Sequence, residues 1–200
     1  MQRRTFIKAG TGVLLTPAAL VGCEQGTSDV GRKLDKFGLQ LSTVTPLLLA
    51  DFEGTLARVA QIGYQQVEFS AMGFLGRSVD DVQKLLRAHS LEAPVGRIAP
   101  VLPPDFFTLP RAEAMKVYRE RGRPEFFLDN VIHSLQAAVA LGQRYLVLPA
   151  MMSEQFQTLD QVKRNIELMN QAGELCGEQG VMFGYHNHNW EFVSLEGVVP

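Results

Sequence analysis

Cysteine is scarce in this chain. Only Cys23 and Cys176 occur in 200 residues. Two are too few for a disulfide framework, and their spacing is not that of a metal site. An excess of charge is absent too. Nineteen lysines and arginines stand against 21 aspartates and glutamates, a formal net charge of -2. Such a balance leaves no electrostatic footprint for nucleic acid, so no nucleic-acid partner is expected. No Gly-x-Gly-x-x-Gly follows the first strand pattern and no phosphate loop is present, so the nucleotide-binding readings lose support. Hairpin signals are lacking. The apolar run Ala9 to Leu20 is too short to span a bilayer in its own right.

What is present is an ordinary globular composition. It is 46% hydrophobic and 20% charged, enough for one domain with a real core. Arg3-Arg4-Thr5-Phe6-Ile7-Lys8 before the short apolar run reads as a twin-arginine export signal. Leu20-Val21-Gly22-Cys23 resembles a lipoprotein lipobox, with Cys23 acylated and a polar tether after it. The expected organisation is a signal at residues 1–22, a tether at 23–36 and a folded domain at 37–200. The expected location is exported and periplasmic, with the twin-arginine machinery and a membrane as partners, the latter through a lipid on Cys23.

The rest alternates between strand and helix patterns. Strands are read at Gly38 to Ser42, Gln66 to Phe69, Ala93 to Ile98, Tyr145 to Pro149 and just after Gly180. Thr43 to Ala50 reads as a loop broken by Pro46. Asp51 caps a helix that Gly63 stops. Ser78 with Asp81 resembles a capping box opening a helix with Val79, Val82, Leu85 and Leu86 on its stripe. Ala99 to Pro124 is a proline-punctuated insert with Phe106 and Phe107, either a lid or a packed loop, and a short helix at Arg111 to Arg121. Phe127 to Leu141 is a strong amphipathic pattern, with Leu128, Val131, Ile132, Leu135, Ala138 and Val139 on one side. Asp160 caps a helix whose stripe holds Val162, Ile166, Met169, Ala172 and Cys176. Cys176 is therefore a core residue rather than a reactive thiol. Repeated strand–helix units argue for parallel βα architecture with the site at the carboxyl ends of the strands.

Gly184-Tyr185-His186-Asn187-His188-Asn189-Trp190-Glu191-Phe192 concentrates the chemistry. Residues two apart on a strand share a face, so His186 and His188 project together. They serve a metal or substrate, or they are buried, hydrogen-bonded supports. Glu68 ends the second strand pattern, as a substrate-contacting carboxylate or a structural ion pair. Glu191 needs a bend after Asn189 to act as a partner that orients a histidine. Trp190 stacks on a sugar or packs. His133 and Tyr64 read as structural.

Several of these segments together resemble a known family. They are Gly38 to Leu41, Asp51 to Leu56, Ile62-Gly63-Tyr64 with Val67-Glu68-Phe69, Ala140-Leu141-Gly142, and the histidine motif through Phe192. They look like the sugar phosphate isomerase/epimerase group of xylose-isomerase-like TIM barrels. The resemblance implies an α/β fold of the (β/α)8 TIM-barrel type, of which about the first five βα units are present. It implies a divalent metal, Mn, Co, Mg or Zn, at the barrel mouth. It implies a small carbohydrate substrate and chemistry beside a carbonyl through an enediolate. By register, His186 takes the place where such enzymes carry a metal-binding glutamate, and Arg97 takes the place of a histidine. Arg97 would then hold a sugar hydroxyl or a phosphate. His186, His188 and Glu68 are the catalytic candidates. Arg97, Trp190 and Glu191 are the substrate-binding ones. His186 is the metal candidate, its co-ligands expected beyond Pro200. A complete barrel needs about 250 residues, so the chain is expected to be a partial one. A lyase or hydratase on keto-sugars, and a tethered sugar-binding module without chemistry, are the alternatives.

Overall fold

The computed structural model describes residues 34–197 and 199. The twin-arginine segment and Cys23 lie outside them. Five strands form one parallel sheet in chain order: β1 (Gly38–Gln40), β2 (Gln66–Glu68), β3 (Glu92–Arg97), β4 (Tyr145–Leu148) and β5 (Met182–Tyr185). The helices are α1 (Thr45–Ala50), α2 (Phe52–Ile62), α3 (Val79–Ala88), α4 (Arg111–Arg121), α5 (Phe127–Leu141) and α6 (Leu159–Glu178). The sequence places the five strands in the order observed. Among the described residues no helix is long and apolar enough to cross a membrane.

Local chemistry sets most boundaries. Asp51 accepts a hydrogen bond from the Gly54 amide at 2.9 Å and starts α2. Gly63, at φ 112°, ends it in the left-handed region where only glycine is unstrained. Ser78 accepts from the Asp81 amide, but the Asp81 carboxylate takes the Ser78 hydroxyl, so the box is half made. Two expectations are corrected. Thr43 to Ala50 is not a loop: a 3-10 turn over Leu41–Val44 leads into α1, because Pro46 sits in the first turn, where a missing N–H costs nothing. The cap of α6 is Thr158 paired with Gln161, and Asp160 lies inside the first turn.

The helices cover one face of the sheet. Val67, Leu146 and Leu148 point to it and are buried. One core cluster runs through Phe52, Leu56, Val67, Val82 and Leu86, and a second through Val131, Ala138, Leu146, Ala172 and Cys176. Cys176 is fully buried there, and burial pushes its thiol above the ordinary range.

The opposite face carries Gln40, Gln66, Glu68, Arg97, Val147, Gly184 and, beyond the strand end, His186. Its aim depends on β3. Glu92 pairs with Gln66 while Val95 pairs with Glu68, so β3 spends one more residue than β2 over the same length. This bulge falls within Ala93–Pro94, and Pro94 lacks the N–H a regular ladder needs. Glu92 and Arg97 are an odd number apart, and only the bulge lets both face the same way.

Candidate active site

The site is built on the carboxyl ends of the strands, on the face the helices leave free. Arg97 is in register with Val147, and Val147 with Gly184. Gln40 is in register with Glu68. Gly184 brings no side chain, so the row between Arg97 and β5 has a low floor. Two strand spacings, about 10 Å, separate these ends.

At one end Arg97 donates from Nε to Glu68 Oε1, with the two side chains only 16% and 26% exposed. Of the two readings of Glu68, this contact is the ion pair, and it lies at the strand ends that form the mouth. Gln40, which the sequence pattern gave no reason to choose, completes the row. Its Oε1 accepts from the Ser42 amide at 2.7 Å and from the Ser42 hydroxyl.

At the other end the His186 and His188 rings lie 5.2 Å apart. His186 is exposed. His188 stacks flat on Trp190, with ring centres 4.5 Å apart and planes 4° apart. Trp190 donates from Nε1 to the Met151 carbonyl at 3.1 Å. The chain bends after Asn189 into a 3-10 turn, Trp190–Phe192. That bend returns Glu191 to the motif. Its Oε2 accepts from the His188 backbone N–H at 2.8 Å, and its Oε1 accepts from the Tyr185 hydroxyl. Glu191 therefore grips the backbone of His188 rather than its imidazole. Trp190 spends one ring face on His188. His188 Nδ1 is buried without a hydrogen-bond partner among the described residues.

Burial first, then the hydrogen bond to Glu191 and its charge, hold the Tyr185 phenol well above the ordinary tyrosine range. In the unfolded chain it ionises near pH 10. Above that the unfolded state loses a proton that the folded state keeps, so stability falls as pH rises. Tyr185→Phe is expected to flatten this alkaline decline. Urea midpoints from about pH 9 to about pH 11 would read it. An unchanged slope would contradict the assignment.

A cavity of ≈ 350 Å³ adjoins the Arg97 end, lined by Arg97 together with Met72, Phe74, Leu102, Phe107 and His133. Neither His186 nor His188 lines it. Phe106 is buried and Phe107 lines this cavity, so the insert packs here rather than over the histidines. Tyr64 packs edge-on against Phe37 at 5.2 Å.

The donor set is short for a metal. Among the described residues no three histidine, cysteine, aspartate or glutamate side chains are grouped so that they could hold a metal ion. Glu68 is engaged by Arg97 and Glu191 by Tyr185 and His188, which leaves imidazole nitrogens. Two nitrogens do not close the shell of a tightly held divalent ion.

A parallel βα sheet with helices on one face, and polar groups gathered at the carboxyl strand ends of the other, defines a barrel-type α/β protein. The family profile of xylose isomerase-like TIM barrels matches residues 56–198, and the chain belongs to that family. Among solved structures it is similar to a sugar phosphate isomerase/epimerase from Parabacteroides distasonis ATCC 8503, at 24% identity and TM-score 0.59, over 80% of this chain and 54% of that one. It is similar to an AP endonuclease, family 2, from Brucella melitensis, at 22% and 0.59, over 77% and 55%. A D-allulose 3-epimerase from Methylomonas sp., solved with D-allulose, follows at 13% and 0.52, over 78% and 52%. The chain thus spans about half the length of these structures, and at such identities they show the fold. No curated protein matches it.

Proposed function

We propose that the protein is a sugar isomerase or epimerase, working on the carbon beside a carbonyl, with His186 and His188 as its proton-transfer groups. The observation that carries this reading is the pairing of the two imidazoles, 5.2 Å apart at the end of β5. They share a mouth with the Glu68–Arg97 ion pair. Imidazole is the side chain best suited to take and return a proton near neutral pH. One ring removes the C–H proton and the bond's electrons move onto the carbonyl oxygen, giving an enediolate. A proton returned to the other face gives the epimer, and one returned to the neighbouring carbon gives the isomer. The stack on Trp190 and the grip of Glu191 hold His188 in place, so little reorganisation is needed at the moment of transfer. Arg97 and Trp190 bind the sugar in this proposal, with Glu68 and Glu191 beside them. A divalent ion on His186 would polarise the carbonyl when bound, but it needs ligands beyond the described residues, and no step here depends on it.

Elimination from the same enediolate is the second reading. It is favoured by finding imidazoles, which can protonate a leaving group, where a pair of carboxylates would serve an epimerase. Solvent deuterium exchange into a panel of neutral keto-sugars tests both. Deuterium beside the carbonyl without loss of a group supports the first, and loss of a neighbouring group supports the second. No incorporation into any sugar would overturn both and favour a binding module.

The same proposal places the protein outside the cytoplasmic membrane, tethered by a lipid on Cys23. The twin-arginine motif and the small residues before Cys23 support it. Cys23→Ser is expected to abolish labelling by a fatty-acid probe and to shift the protein from the membrane to the soluble fraction. Equal labelling of the variant would defeat the assignment.

A further inference from the structure

The mouth opposite the histidines is polar, but its charges cancel. Arg97 uses only Nε on Glu68. A guanidinium has five N–H donors, so its two terminal NH2 groups remain. Glu68 keeps Oε2. Gln40 has its oxygen fixed by the Ser42 amide, an obligate donor, and that turns its NH2 the other way. No other hydrogen bond among the described residues engages these atoms. None of them is a buried, unpartnered group, so they open to solvent. Register sets Gln40 beside Glu68, and Arg97, two residues beyond the Val95 that pairs with Glu68, reaches back to it through the ion pair. They form a short row, donor then acceptor then paired donors, about two strand spacings from Gly184.

We propose that Gln40, Glu68 and Arg97 together bind the hydroxyl groups of a neutral sugar at its non-reacting end, so that the substrate is an uncharged keto-sugar rather than a sugar phosphate. This rests on the function proposed above for the histidine end. Sugar hydroxyls both donate and accept, and the row offers both. A phosphate would meet a cation already neutralised by Glu68, whose own charge repels it. Arg97 owes its place here to the bulge within Ala93–Pro94, and Gln40 owes its orientation to its cap on the 3-10 turn. Gln40 and Arg97 therefore act as specificity residues and not as proton carriers.

Binding can be measured apart from chemistry. Calorimetry on the full chain with D-fructose, other neutral ketoses and D-fructose 6-phosphate gives the comparison. At least one neutral ketose is expected to bind in the millimolar range or better, and the phosphate no tighter than its parent sugar. Arg97→Met is expected to weaken neutral binding by about tenfold or more, the usual loss for a hydrogen bond to a charged group. Because Arg97→Met leaves Glu68 unpaired, Gln40→Glu supplies the second variant. It keeps an oxygen for the Ser42 cap while removing the free donor and adding charge, and it too is expected to weaken neutral binding. Phosphate binding tenfold tighter than fructose and lost in Arg97→Met would overturn the proposal. So would unchanged neutral binding in both variants, or no neutral binding at all. Binding without deuterium exchange would leave this proposal standing and remove the isomerase reading alone.

Discussion

His186→Ala is expected to lower solvent-deuterium exchange into a bound keto-sugar by about 100- to 10,000-fold, the range for losing a positioned acid or base. It is expected to leave the fold almost untouched. The His186 ring is exposed and makes no hydrogen bond among the described residues, and changes at such positions usually shift stability by less than about 0.5 kcal/mol. The two readouts together make the test sharp. A large activity loss with an unchanged urea midpoint assigns chemistry to the ring. Equal exchange rates in variant and parent would remove His186 from the mechanism. A matching loss of stability would make it a structural residue. His188 would be a poorer probe, because its ring is stacked on Trp190 and its backbone is gripped by Glu191.

Phe52→Ala is expected to cost about 3–5 kcal/mol of unfolding free energy, as deletions of a buried phenylalanine do. The ring is 2% exposed at the start of α2. It lies nearly parallel to Phe69 at 6.4 Å, with the Arg77 guanidinium 4.0 Å from its centre. Truncation opens a void against Phe69 and strands the guanidinium without its ring. Since domains hold about 5–15 kcal/mol in all, the variant would sit near the threshold of folding. Phe52→Leu, which refills most of the volume, should recover more than half of the loss. A cost below about 1.5 kcal/mol in a denaturant titration would show that the site collapses around the gap.

How much of this was legible beforehand depends on what decides each feature. Capping and glycine chemistry are local, so α2 begins after Asp51, and α2 and α5 end at Gly63 and Gly142, where their sequences say. Which face a helix buries is not local. In α5, Ile132 and Val139 are 44% and 47% exposed, although the apolar pattern places them inward. Asn130 and Ser134 are buried instead. Asn130 accepts from the Val101 amide and donates to the Arg121 carbonyl, and Ser134 accepts from the Ala99 amide. Both residues satisfy the backbone of the 99–124 insert, a reason that hydrophobicity cannot carry. The same holds in α6, where Asn165 is buried by its bond to the Gln155 carbonyl and Ile166 faces out.

The candidate site divides in the same way. The strand period puts His186 and His188 on one face, but β5 ends at Tyr185, before both, so their 5.2 Å ring separation is set by the loop that follows and not by strand alternation. The return of Glu191 followed only on condition of a bend, and its partner proved to be a peptide N–H. Gln40 carried no signal, since a glutamine near the end of a short strand pattern is ordinary. Only its register with Glu68 and its bond to Ser42 single it out. An ion pair was one of two readings of Glu68, but its partner Arg97 was not foreseen; the aim of Arg97 depends on a feature with a faint trace in the sequence, a proline within a strand.

That proline has a consequence for how the mouth can change over time. The aim of Arg97 is set by counting, because β3 is one residue longer than β2 between their matched ends. Substitutions in β3 can alter what the mouth presents but not which residues present it. Removing one residue would force a choice. Either Glu92 stays beside Gln66 and Arg97 turns in among the helices, or Arg97 stays and Glu92 turns away. Loss of a single codon in this strand is therefore a one-step way to exchange what β3 presents at one of its two ends, with Gln40 and Glu68 left in place.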